Sequence, residues 1–226
     1  MTSPLTAGGL ATLAGGAAAM AALHVVSDLD PLHGMISEYA YHPNGWLLPV
    51  SLTLLAVGSA LFAVEMSRRH GERSSGLLLG AWSVCMLLIA AFPTDRPGVS
   101  LSMSGGIHRY AAFVAFVCMP VAGLIVAARG GAHARALRGL SVAAGVFLVL
   151  VLVPYAVRMF GVDPGPGVAG LTQRLVVVTE VVILTLIGLT AATGRANRPA
   201  GRPARVEAAG ETVAGAPASA AVLQKV

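Results

Sequence analysis

Six long stretches of the chain are almost purely apolar: residues 5–26, 46–66, 76–93, 109–128, 140–160 and 172–193. Each has about the ~20 residues that a helix needs to cross a bilayer. Hydrocarbon offers the backbone no water, so each run is expected to be a helix, which pairs its own amides and carbonyls. Strands of a membrane barrel would be about ten residues long and would alternate in polarity. The run LLLGAWSVCMLLIAAF does not alternate. The expected fold is all-α, a polytopic membrane protein with a six-transmembrane-helix bundle over residues 1–193. Residues 194–226, rich in Ala, Pro, Gly and Arg with no periodic apolar face, are expected to form a disordered tail.

Two features inside the runs bear on packing. Ala7, Ala11, Gly15 and Ala19, with Gly8 and Gly16 one step round, form a ladder of small residues. Such ladders let helices approach closely, so the first helix is expected to pack within the bundle. Pro120 and Pro154 lie inside the fourth and fifth runs and predict kinks or opened carbonyls there.

Composition agrees with the pattern. The chain is 56% hydrophobic and 11% charged, with a mean hydropathy of +0.77; a soluble domain carries about 25% charged residues. A pI near 9.9 is also what a nucleic-acid binder would have, but the basic residues are segregated by membrane side. Eleven fall in the second and fourth connections and the tail, from Arg68, Arg69 and Arg73 to Lys225, against Arg96, Arg109, Arg158 and Arg174 opposite. Both termini are therefore expected in the cytoplasm, in a multi-pass plasma-membrane protein. Membrane lipids and a small hydrophobic ligand are the expected partners, with no nucleic acid. The opening MTSPLT has no positively charged stretch, so the first run is expected to be retained and not cleaved as a signal peptide. Cys85 and Cys118 sit in separate apolar runs and read as packing residues, and two distant cysteines give no zinc spacing.

Polar chemistry collects on the outer side, with four of the six histidines and five of the ten acidic residues. His24 and Asp28 open the longest connection, SDLDPLHGMISEYAYHPNG. Its mixture of charge with Met35, Ile36, Tyr39 and Tyr41 suits either a lid with a short helix around residues 34–41 or a solvated loop anchored by aromatics. In the third connection, Asp95 and His108 are expected at one depth. They would form a proton-transfer pair, two metal ligands or a hydrogen bond that closes the loop.

Ser37-Glu38-Tyr39 before Gly45-Trp46, and Ala91-Phe92-Pro93-Thr94-Asp95 before His108, Ala111, Ala112 and Phe113, resemble landmarks of a bacterial family of six-helix membrane proteins. This is the domain-of-unknown-function nine-nine-eight family, and the resemblance spans roughly residues 8–193. It implies that Ser37, Glu38, Asp95 and His108 match family landmarks; the family name confers no activity.

Glu180 stands out on physics alone. It lies several residues inside the sixth run, where a charge costs on the order of 2.5–3.5 kcal/mol at the helix centre. It must face the bundle interior, either paired with a cation such as Arg158 or Arg174 or serving as an acid toward a substrate. Gln173, seven residues earlier, shares its face. Glu65 is followed by Arg68 and Arg69 and reads as a surface ion pair.

There is no HExxH, Walker A loop, dinucleotide fingerprint or GxSxG elbow. The last two runs hold no histidine, which argues against a metal site, and no cofactor is implied. Three readings follow. The first is a non-enzymatic bundle binding or sensing a lipid or small hydrophobic molecule, with Arg158, Ser37, Tyr39, Arg174, His24 and Asp28 as candidate contacts. The second is a membrane-embedded enzyme acting on a lipid or isoprenoid, with Glu180 and Asp95 as acids assisted by His108 and Glu38. The third is a proton-coupled carrier.

Overall fold

The computed structural model describes residues 2–68, 72–96, 98–162 and 167–196, the last four by backbone alone. Of residues 194–226, expected to form a disordered tail, 194–196 are instead the end of the last helix and the rest lie outside the described residues, as do Arg69 and Asp163. Every regular element among the described residues is helical: α1 (Pro4–Val26), a 3-10 segment (Ile36–Tyr41), α2 (Leu47–Ser67), α3 (Arg73–Ala91), α4 (Met103–Ala128), α5 (Ala134–Met159) and α6 (Ala169–Ala196). All six α-helices are long and apolar enough to cross a membrane, and the chain is a multi-pass membrane protein. Their exposed faces are apolar too, with Val57 on α2, Val84 on α3, Val117 on α4 and Val149 on α5 turned outward. A helix that is apolar all round belongs in lipid or in a core.

Successive helices pack side by side, and α6 returns to touch α1, α2, α4 and α5. Its inner face is closed off: Val176, Glu180, Ile183, Leu184 and Ile187 are all at most 2% exposed. Lipid tails give helices little hydrophobic reason to associate, so close approach and hydrogen bonds hold the bundle. Ser51 Oγ donates to the Gly16 carbonyl at 2.7 Å, Ser59 Oγ to Leu79 at 2.9 Å and Ser83 Oγ to Ala56 at 2.8 Å, joining α1, α2 and α3. The Phe62 ring fills a notch between helices. A Cβ on Gly9 of α1 would lie 2.5 Å from it, and so would one on Gly188 of α6.

Three expectations change. α1 does pack within the bundle, but through Thr6, Gly9, Leu13, Gly16 and Leu23, while Ala7 and Ala11 of the expected ladder are exposed. Two small-residue stripes run along this helix, and the bulk of Phe62 and Leu55 on α2 selects the one made of glycines. α4 begins six residues earlier than expected, at Met103. Ser102 caps it by accepting from the Gly105 amide at 3.1 Å, so the glycine- and serine-rich stretch is helix and His108 lies inside it. Glu65 is buried at 4% exposure and accepts from Ser3 Oγ at 2.9 Å, so its setting is not the surface. Pro120 and Pro154 sit inside α4 and α5, which continue on both sides of them.

The up-and-down order brings the α1–α2, α3–α4 and α5–α6 connections to one end of the bundle. The candidate site lies at this end.

Candidate functional site

Arg174 in the first turns of α6 organises the loop end. It is 8% exposed, and the hydrogen bonds it makes all go to neutral acceptors. Nη1 donates to the carbonyls of Pro31 (2.9 Å), Gly34 (2.7 Å) and Gly170 (3.0 Å), and Nη2 donates to the Tyr39 hydroxyl (3.1 Å). Nε donates to His24 Nε2 at 3.1 Å, which requires a neutral ring whose Nδ1 donates to the Met20 carbonyl at 2.8 Å. Gln173 adds a second tie, its Oε1 accepting from the Ile36 amide at 2.7 Å. The first connection is thus fastened down over α6 with the expected short helix, in 3-10 form, at its centre. Tyr41 extends the fastening by donating to the Thr94 carbonyl, with Arg96 stacked 4.9 Å over its ring. His24, Tyr39 and Arg174 hold the loop itself. Asp28 is exposed and lines none of the cavities described next.

Beneath this cover lie three adjoining cavities. The outer one, about 480 Å³, has a mouth of Glu38, Asp95, Arg96, Arg109 and Arg158 and a floor that includes Phe113, Phe116, Leu148, Val151 and Leu152. Deeper in the bundle is a chamber of about 60 Å³ lined by Glu180, Trp82, His108, Ser37 and Gln173 among apolar side chains. A third space of about 260 Å³ opens between α2 and α3. Ser37 and His108 line all three, and Ala112, Phe116 and Gln173 are shared by the outer cavity and the inner chamber.

Neither expected charge pair forms. Glu180 is 2% exposed and its hydrogen bond comes from Trp82 Nε1, 3.2 Å from Oε2; Oε1 has no partner. Arg158 is exposed at the mouth, separated from Glu180 by the depth of the site, and Arg174 is committed to the loop. His108 Nδ1 bonds the Phe92 carbonyl at 2.8 Å, so a backbone group and not Asp95 sets the ring orientation. In the neutral imidazole this places the proton on Nδ1 and leaves Nε2 as the acceptor. Glu180 and Gln173 do share a face, and both line the inner chamber.

Asp95 turns instead to the start of α4. Hydrogen bonds from the Ser102 hydroxyl and then the Ser102 amide hold its carboxyl below the ordinary value of 3.8, as an anion at a helix N-terminus. The approach needs Gly105, where a Cβ would fall 1.8 Å from Asp95 Oδ2. A carboxyl with a lowered pKa stabilises the fold above the ordinary carboxylate range and loses that contribution as pH falls through the lowered value. Thermal melts across the acid range should therefore show a wild-type advantage over Asp95→Asn that vanishes at the acid end. A difference that persists there would mean the charge is not responsible.

Trp82, which sequence reading passed over, left one signal. Tryptophan favours the membrane interface, so one in mid-run, with an N–H that needs an acceptor when buried, points to a polar partner in the core.

No curated protein and no solved structure matches the chain. The family model described as "Protein of unknown function (DUF998)" matches residues 6–190, nearly the whole helical bundle and every residue lining the three cavities. The chain belongs to that family.

Proposed function

We propose that the bundle binds a lipid or small hydrophobic molecule in the outer cavity, as a binding or sensing protein of the plasma membrane. One observation carries the reading: a cavity of about 480 Å³ with charged groups at its mouth and aromatic and aliphatic side chains at its floor. Ligand sites combine a mostly apolar lining with a few placed polar groups in this way. With both termini cytoplasmic, as the basic residues favour, the mouth opens at the outer face. Ala112 forms part of the wall that this cavity shares with the inner chamber. Native mass spectrometry of the purified protein should find one hydrophobic molecule in excess over bulk lipid, and Ala112→Phe should reduce it several-fold. Val149→Phe, at a position 58% exposed on the lipid side of α5, should not. Equal occupancy in all three proteins would overturn the reading.

An acid–base enzyme is the second reading, and it is supported by Glu180 and His108 lining one chamber. In that case the recovered molecule would be chemically altered on incubation with wild-type protein and unaltered with Glu180→Gln.

A further inference from the structure

The inner chamber combines a buried carboxyl oxygen that has no partner with further polar groups that have room for one. Glu180 Oε1 is buried and makes no hydrogen bond, although Trp82 occupies Oε2. Leaving such an atom unfilled is costly, and native structures rarely do so. His108, through the Nε2 left over from its bond to Phe92, supplies an acceptor. Gln173 has its oxygen committed to Ile36, so its amide hydrogens are what it can offer the chamber. Ser37 can do either. No arginine or lysine lines this space.

That inventory selects the group that fits. An anionic head would meet Glu180 with no cation to offset it. An ammonium would have to shed its hydration in a space that is otherwise apolar, which is the larger penalty for any charged group. A bare carbonyl accepts only, so it would leave His108 Nε2 without a donor. A hydroxyl donates and accepts, is far cheaper to desolvate, and is small. A water needs about 10–15 Å³ of such volume, so about 60 Å³ admits a hydroxyl with a short length of chain.

We propose that the inner chamber is a subsite for the hydroxyl of a hydrophobic alcohol. The hydroxyl bonds Glu180 Oε1, as donor to a carboxylate or acceptor from a carboxylic acid, with His108 Nε2 and the Gln173 amide as its other partners. Its chain passes Ala112 and Phe116 into the outer cavity. The chain's path rests on the binding reading above; the group recognised at the deep end is new.

Trp82 supplies the readout. The chain has two tryptophans, and Trp46 is 64% exposed, so Trp46→Phe leaves the chamber's indole as the only emitter. Bromine in contact with an indole quenches it. The probes are a saturated fatty alcohol brominated beside its carbinol carbon, the methyl ether of that alcohol, the matching bromoalkane and the matching bromoamine. The alcohol should quench saturably and bind about tenfold tighter than ether or alkane, the equivalent of one good hydrogen bond. Glu180→Met should weaken the alcohol about tenfold; if that variant does not fold, the alcohol-to-ether ratio in the otherwise wild-type protein decides. Equal affinity of alcohol, ether and alkane would overturn the hydroxyl subsite and leave the cavity reading standing. Alcohol affinity undiminished by Glu180→Met would overturn it as well. Tightest binding of the amine would assign the chamber to a cation. No saturable quenching by any probe would mean that the chamber holds only water, and the chain's path would fall with the subsite.

Discussion

Arg174→Leu should destabilise the folded bundle by about 3–5 kcal/mol, because several acceptors lose one charged donor at once. The substitution takes the donor from the Pro31 and Gly34 carbonyls and His24 Nε2 in a part-buried setting and from the buried Tyr39 hydroxyl. Each orphaned acceptor costs about 1–3 kcal/mol, and the sum is capped because the loosened connection admits water. Arg174→Lys should recover little: an ammonium has three donors on a single atom and cannot reproduce a planar fork that reaches α1, the loop and α6 together. Detergent melts measure the size of the loss, and limited proteolysis should locate it in residues 27–45. A loss below about 1 kcal/mol, within the reach of an exposed side chain, would mean that the connection is held by something else.

Phe62→Ala should cost about 2–3 kcal/mol. Replacing a buried phenylalanine by alanine costs about 3–5 kcal/mol in a water-soluble core. In a bilayer the transfer part shrinks, because a separated helix still sits in lipid, and what remains is lost packing around the cavity. The ring is 0% exposed and touches the backbone notches at Gly9 and Gly188. Gly188→Val alone should also destabilise, since its added carbon meets the ring at 2.5 Å. Combined with Phe62→Ala it should fit the vacated space, so the double variant should be more stable than the two losses added together predict. Strict additivity would show that ring and glycine do not share the site.

The site was only partly legible in the sequence. Glu180 announced itself because a carboxyl within an apolar run must face inward, and its shared face with Gln173 followed from helical spacing alone. Ser37, Glu38, Asp95 and His108 were marked by resemblance, and all four line the cavities. Their partners were not readable. Asp95 bonds the α4 cap instead of His108 because the true helix start lies at Met103, where Ser102 and Gly105 outweigh the loop-like look of the stretch. Arg174 read as a candidate ligand contact or a partner for Glu180, yet it ties down the loop, since its position on α6 brings it under carbonyls about 140 residues away in the chain.

What the sequence determined by itself was the class, the number of helices and the presence of a carboxyl inside the bundle. These follow from the local physics of chain in hydrocarbon: length, apolarity and backbone self-pairing. What only the tertiary structure decided was which helices α6 returns to touch, which stripe of α1 is packed, and which polar groups meet. Those depend on contacts between helices far apart in sequence. In a chain whose lipid-facing and packed surfaces are equally apolar, no polarity pattern distinguishes one face from the other; the fit of Phe62 against glycines and the reach of single buried hydrogen bonds do.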